Sequence, residues 1–222
     1  MIITPDKLKQ VCPKLTDKDA AEIASLFTEL CPKYGINTYD IFHEFIARLA
    51  HECAEFTRYS EGLNYSVEGL QKFVKWKRIT AAQADQYGRK PGQKANQQMI
   101  ANIIYGGTWG KKNLGNTLPN DGWNLRGSGA IQTTGRANTQ RYCNYVNKRD
   151  NTNYTVEQMA ELMRTSHRWA IDSACWIFAI SFKLIDEAID DELKAICDRI
   201  NGGALGFADT VKYYERAKAV FQ

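Results

Sequence analysis

The sequence predicts a mainly α fold with at most a small β element, in one catalytic-sized domain spanning residues 1–222. Three observations carry that expectation. Apolar residues recur at intervals of three and four, as in Phe42, Phe45, Ile46, Leu49 and Cys53, which lays one stripe along a helix. Only one short run, Ala130-Ile131-Gln132-Thr133, looks strand-like. No repeat, low-complexity tract or Pro/Gly/Ser-rich linker interrupts the 222 residues, a length suited to a single core, so no separate binding module is expected.

The elements follow in order. Thr16 or Asp17 caps a helix running to Lys33, with Ala21, Ile23, Ala24, Leu26, Phe27 and Leu30 as its apolar faces and Gly35 beyond its end. A second helix opens near Thr38 and runs to about Phe56. Shorter helices are expected over residues 67–74, 81–87 and 93–105. From Gly106 to Gly135 glycines crowd around Trp109 and Trp123. That stretch reads as an irregular, ligand-shaping loop ending in the strand-like run. Helices resume over residues 138–147, 156–163, 169–184, 192–200 and 208–221. Asn201-Gly202-Gly203 splits the last two and marks a tight connection.

Composition narrows the function classes. With 44% hydrophobic and 24% charged residues the balance is that of a globular protein. A mean hydropathy of -0.46 and the absence of an apolar run near 18 residues exclude stable membrane insertion. The N-terminal segment lacks an apolar core of signal-peptide length, so accumulation in a cytoplasm is expected. A net charge of +4 mildly favours an anionic partner such as a bacterial wall and falls short of a nucleic-acid footprint. The cluster Lys72, Lys75, Lys77 and Arg78 reads as a solvated helix end, and Lys212, Arg216 and Lys218 as a solvated helix face. The six cysteines form no CxxC pair and only three histidines accompany them. No metal or cofactor is expected, and the cysteines read as buried free thiols.

Glu52 is the sharpest local anomaly. It lies three residues after Leu49 and seven after Phe45, so on a helix it points along the apolar stripe. Burial there raises a carboxyl pKa, as a general acid at neutral pH requires. The alternatives are that it ends the helix and turns to solvent, or pairs with Arg48 one turn back. Glu61 follows on a Gly-adjacent loop, where a carboxylate is better solvated. Two carboxyls in unlike surroundings suit glycoside hydrolysis, and a separation of roughly 6.5–9.5 Å would leave room for a water and invert the anomeric centre. Glu55 and Glu68 are rivals for the second role. Trp109, Trp123 and Tyr105 offer stacking faces for pyranose rings, or ordinary core packing. Gln132, Thr133, Thr134 and Asn138 offer hydrogen bonds to sugar substituents, or plain solvent exposure. Asn201 reads on its own as a turn former.

Together these blocks resemble family 19 glycoside hydrolases, and more closely the short phage endolysins of that family. The matching segments are Ala50-His51-Glu52, Glu61-Gly62-Leu63-Asn64-Tyr65-Ser66, Tyr87-Gly88-Arg89, residues 95–105, residues 121–136 and Arg199-Ile200-Asn201-Gly202-Gly203. They run in the family's order and span about residues 40–215. The resemblance implies a lysozyme-like, two-lobed helical domain with a central cleft. It implies Glu52 as proton donor, Glu61 as the base that activates water, and Thr134 as a holder of that water. Gln132, Asn138 and Asn201 match substrate-contacting positions, His51 one that orients the acid, and Tyr65 and Trp123 join the substrate-binding set.

Three positions depart from the family pattern. Ser128 stands where the family has an arginine in its RGRG element, Cys53 where a Ser or Thr follows the acid, and Thr210 where an arginine is expected after the Asn-Gly-Gly turn. The implied activity is cleavage of β-1,4 bonds in peptidoglycan or a chitin-like polysaccharide, without cofactor, by a monomer. An endolysin of this kind waits in a host cytoplasm until it is released to the periplasm and cell wall. Chitin cleavage, a lytic transglycosylase with a single acid, and a non-catalytic glycan binder are the competing readings.

Overall fold

The computed structural model describes residues 1–201 and 206–222, the Asn201 side chain excepted. The fold is mainly helical, with fourteen α-helices among the described residues and only isolated β-bridges. In chain order these are α1 (Pro5–Val11), α2 (Asp17–Leu30), α3 (Tyr39–Glu52), α4 (Gln71–Lys75), α5 (Ala81–Tyr87), α6 (Gln97–Ile104) and α7 (Gly107–Leu114). They continue with α8 (Asp121–Asn124), α9 (Arg136–Asp150), α10 (Val156–Thr165), α11 (His167–Trp176), α12 (Ile185–Ile189), α13 (Leu193–Asn201) and α14 (Phe207–Val220). The chain forms two compact units, one of residues 1–59, 129–132 and 162–222, the other of residues 60–128 and 133–161.

The first unit is built around α3. Thr38 caps it by accepting the Ile41 N–H, and every residue from Ile41 to Ala50 is buried, as befits a helix enclosed on all sides. Its main neighbour is α14. Phe27 of α2 meets Phe42, Phe45 and Phe56 edge to face, with centroids 5.3, 6.2 and 5.6 Å apart. Such pairs add about 0.5–1.5 kcal/mol beyond the area they bury. The C-terminus is tied to the same core, since Phe221 packs on Phe42 and its carbonyl lies 2.8 Å from His43 Nε2.

The second unit has its own core of Leu63, Leu70, Phe73, Ile100, Ala101 and Ile104. The same unit holds a charged fork: Arg136 donates to both oxygens of the buried Asp121, at 2.9 and 2.5 Å, while Asp121 also accepts the N–H groups of Thr117 and Leu118.

Several expectations need correction. The helix expected over residues 38–56 stops at Glu52, because Ala54, Glu55 and Phe56 take left-handed backbone angles (φ 52°, 61° and 63°). The stretch from Gly106 to Gly135 is not wholly irregular and contains α7 and α8. Its glycines punctuate a helix instead of preventing one. Gly106 is the N-cap of α7, Gly115 is its left-handed C-cap, and a Cβ at Gly110 would sit 1.9 Å from the Tyr105 carbonyl oxygen. The run 130–133 forms no strand; Ser128 and Thr133 bridge around a turn in which Gln132 has φ 49°. A π-helical turn over Ile177–Ser181 interrupts the helix expected across residues 169–184. Two helices, α1 and α12, add to those expected, and Thr4 followed by Pro5 is a legible start for the first. The connection expected at Gly202-Gly203 lies outside the described residues. All six cysteines are buried free thiols.

Candidate active site

Glu52 ends α3 with its side chain 16% exposed and paired with Arg48, one helical turn earlier and itself wholly buried. Both features the sequence offered are therefore present, the apolar stripe and the arginine partner. Arg48 also donates from Nη1 to Thr210 Oγ1 at 3.2 Å and approaches Cys197 Sγ at 3.8 Å, while its Nε makes no hydrogen bond. The arginine expected at Thr210 is thus absent, and a guanidinium arrives beside Thr210 from α3 instead. Next to the acid, His51 is held below the usual imidazole range by burial first and by the Arg48 charge second, which favours the neutral ring. Gly206 makes room for it, because a Cβ there would lie 2.1 Å from His51 Nε2.

The three left-handed residues after Glu52 are anchored by Glu55. This carboxylate is 4% exposed and accepts the Lys14 N–H at 2.8 Å and the Tyr213 hydroxyl at 2.9 Å, with the Lys14 ammonium at 3.4 Å. Burial pushes its pKa up, but these donors outweigh it and hold the carboxyl below its ordinary value. Its oxygens are committed to the turn. Glu68, the other rival, is exposed in the turn before α4, where hydrogen bonds from its own N–H and the Ser66 side chain lower its pKa.

Glu61 lies in the second unit, where short antiparallel bridges join Ser60 to Ser128 and Ser128 to Thr133. Its N–H donates to the Gly127 carbonyl at 2.9 Å. Its carboxylate accepts twice, from the Tyr105 hydroxyl at 2.6 Å on Oε1 and from the Gly127 N–H at 3.1 Å on Oε2. Burial, followed by the charge on Glu61, pushes the Tyr105 phenol far up. Tyr65 is raised by the same two causes, which places its ring within electrostatic reach of Glu61. The structure therefore brings Glu61, Tyr65 and Tyr105 together.

The other expected site residues have varied surroundings. The Arg126 guanidinium lies 3.8 Å from the Trp123 ring centroid and donates to the Trp123 carbonyl, so one indole face is covered. Arg78 lies 3.3 Å over Trp109. Asn138 donates to the Thr134 carbonyl at 3.0 Å and accepts from Arg141 at 2.8 Å. Gln132 belongs to the first unit and curls back on the Gly129 carbonyl at 3.0 Å. Thr133 is buried, its backbone paired with Ser128. The Asn201 side chain lies outside the described residues.

The hydrogen bonds that Gly127 and Tyr105 donate to Glu61 have no signal in the sequence. Tyr105 stands 44 positions from Glu61, and no periodicity links them. Among the described residues no three His, Cys, Asp or Glu side chains form a metal-binding group, and no helix is long and apolar enough to cross a membrane.

Comparison with known proteins adds one relative. Over 170 residues the chain is 30% identical to a Haemophilus influenzae protein described as glycosyl hydrolase family 19 domain-containing. The match covers 77% of this chain and 74% of that protein. No family model matches the chain.

Proposed function

Because the chain belongs to glycosyl hydrolase family 19, we propose that it is a single catalytic domain that hydrolyses the β-1,4 glycosidic bonds of bacterial peptidoglycan by an inverting acid/base mechanism. The biological setting proposed is that of an endolysin, held in a host cytoplasm until it reaches the wall. The observation that carries this reading is the seating of Glu61. Two donors fix its carboxylate, one on each oxygen. A carboxylate oxygen has two lone pairs, so each can still accept a hydrogen from water. That is the arrangement a base needs if it is to take a proton without first rotating.

In the proposed reaction Glu52 gives its proton to the glycosidic oxygen as the bond breaks. Glu61 takes a proton from the water that attacks the anomeric carbon from the opposite face. Thr134 holds that water. His51 orients the acid, and Gln132, Asn138, Asn201, Tyr65 and Trp123 contact the sugar. Arg48 tempers the acid, because a neighbouring guanidinium favours a charged carboxylate. Proton transfer from Glu52 therefore requires that pair to loosen as the leaving oxygen approaches.

Digestion of purified peptidoglycan tests the reading, with reducing ends counted and products weighed. Wild type is expected to release reducing ends at hydrolytic mass, and Glu52→Gln and Glu61→Gln each to lose about 10²–10⁴-fold in rate. Products at anhydro mass would instead indicate a transglycosylase. A loss below about tenfold in a folded Glu61→Gln protein would remove Glu61 from the role of base. Cleavage of chitin alone would move the substrate to that neutral polymer.

A further inference from the structure

Two members of the basic cluster expected to be a solvated helix end, Lys77 and Arg78, line a cavity of about 660 Å³ in the second unit. Its volume lies within the roughly 300–1,000 Å³ usual for ligand sites. Trp76, Lys77 and Arg78 line it together with Trp109 and Lys112 of α7. Three cations therefore border the cavity, and its lining includes no carboxylate. None of the three forms an ion pair among the described residues.

Arg78 is the centre of the arrangement. Its guanidinium lies 3.3 Å from the Trp109 ring centroid and 5.2 Å from that of Trp76. Stacking uses the face of a guanidinium and leaves its edge of N–H donors for a planar anion. Trp76 is 58% exposed, an unusual exposure for so large an apolar side chain. An exposed indole beside unpaired cations fits a ligand that joins an apolar sugar face to a negative charge. The cavity also adjoins the proposed base, because Arg78 and Tyr105 lie within electrostatic reach of each other and Tyr105 donates to Glu61.

We propose that this cavity binds a carboxylate-bearing amino sugar of the glycan, with the sugar face on Trp76 and the carboxylate on Arg78 and Lys112. The proposal rests on the glycan-hydrolase reading in taking its ligand from the same polymer. It deepens that reading by giving the protein a reason to prefer a glycan with acidic sugars over neutral chitin.

The test is a binding measurement that needs no turnover. Calorimetry would compare two disaccharides of equal length, N-acetylglucosaminyl-N-acetylmuramic acid and neutral chitobiose, and the indole N–H signals of Trp76 and Trp109 would be followed by NMR. The charged sugar is expected to bind about tenfold tighter or more, the scale of one charge-assisted hydrogen bond, and to shift both indole signals. Lys112→Gln, an exposed change that leaves packing intact, and Arg78→Lys, which keeps charge but loses the fork, are each expected to erase most of that preference.

Equal affinities, no measurable binding of the charged sugar, or full preference retained in both variants would overturn the proposal. Equal displacement by inorganic phosphate at the same concentration would overturn it in favour of a phosphate site. Binding without hydrolysis would leave the cavity assignment standing and sink the enzymatic reading. Hydrolysis without charge preference would do the reverse.

Discussion

Arg48 and Glu52 form a pair whose two members pull in opposite directions. Arg48 is wholly buried and relies on Glu52, Thr210 and Cys197 for its hydrogen bonds, so removing its charge leaves those groups short of a donor. The same guanidinium favours the charged form of the carboxyl proposed to donate a proton. For a general acid, the alkaline limb of the rate profile marks the loss of its proton. Replacing Arg48 by Gln is therefore expected to move that limb to higher pH, while Arg48→Lys stays closer to wild type. Rates measured from pH 4 to 9, with folding checked by circular dichroism, decide the matter. A uniform fall in rate with an unmoved profile would reduce Arg48 to a packing role.

Left-handed backbone at three consecutive non-glycine residues is an expensive way to end a helix, at roughly 1–2 kcal/mol per residue. Strain of that kind persists where surrounding contacts over-determine it. Here the Glu55 carboxylate ties the turn to Lys14 and Tyr213, and the Phe56 N–H donates to Cys53 Sγ at 3.3 Å. Glu55→Ala removes the anchor, leaves the Lys14 N–H and the half-buried Tyr213 hydroxyl without that acceptor, and opens a void where the buried carboxylate sat. It is expected to destabilise the protein by about 2–4 kcal/mol in urea denaturation, whereas a loss under about 0.5 kcal/mol would show that the turn holds itself.

This turn also marks where the sequence stopped being legible. The start of α3 is legible in Thr38 and its apolar period, and α5 has the bounds expected of it; the structure shows a Thr80–Gln83 capping box at its start. The end of α3 could not be read, because its stop signal is a carboxylate bound to residues 41 and 158 positions away. The glycines around α7 misled for a related reason, since their function is close approach to Tyr105 and capping. At the site, Glu52 was visible as a charge on an apolar stripe and Arg48 as its i,i+4 partner. The hold of Tyr105 and Gly127 on Glu61 has no local signature and depends on tertiary structure alone.

Among the buried carboxyls, Asp121 of the second unit and Glu44 of the first titrate in opposite senses, so the stability of the whole protein should peak at mildly acidic pH. In the second unit the burial of Asp121 would raise its pKa, but Arg136 and two backbone N–H groups hold it below the ordinary value. Its contribution is complete above the unfolded pKa near 3.9 and is lost as pH falls through the lower folded value. In the first unit Glu44 is wholly buried beside Asp191. Burial first, and Asp191 second, push it up to about 8.

His43, Tyr214 and Lys218 also face the Glu44–Asp191 pair, and the Lys218 ammonium lies 3.8 Å from Asp191. The fold therefore keeps a proton on Glu44 that the unfolded chain releases near pH 4.3. Stability from this group is complete below that value and drains away as pH rises towards 8, at no more than about 1.36 kcal/mol per pH unit. Urea denaturation of wild type at pH 5 and pH 8 is expected to differ by on the order of 1–4 kcal/mol, with pH 5 the more stable. Glu44→Gln, which keeps the shape of the protonated carboxyl, should flatten that limb and leave the acid limb of Asp121 in place. Parallel curves for wild type and Glu44→Gln would mean that Glu44 is ionised in the fold and that the pH dependence has another source.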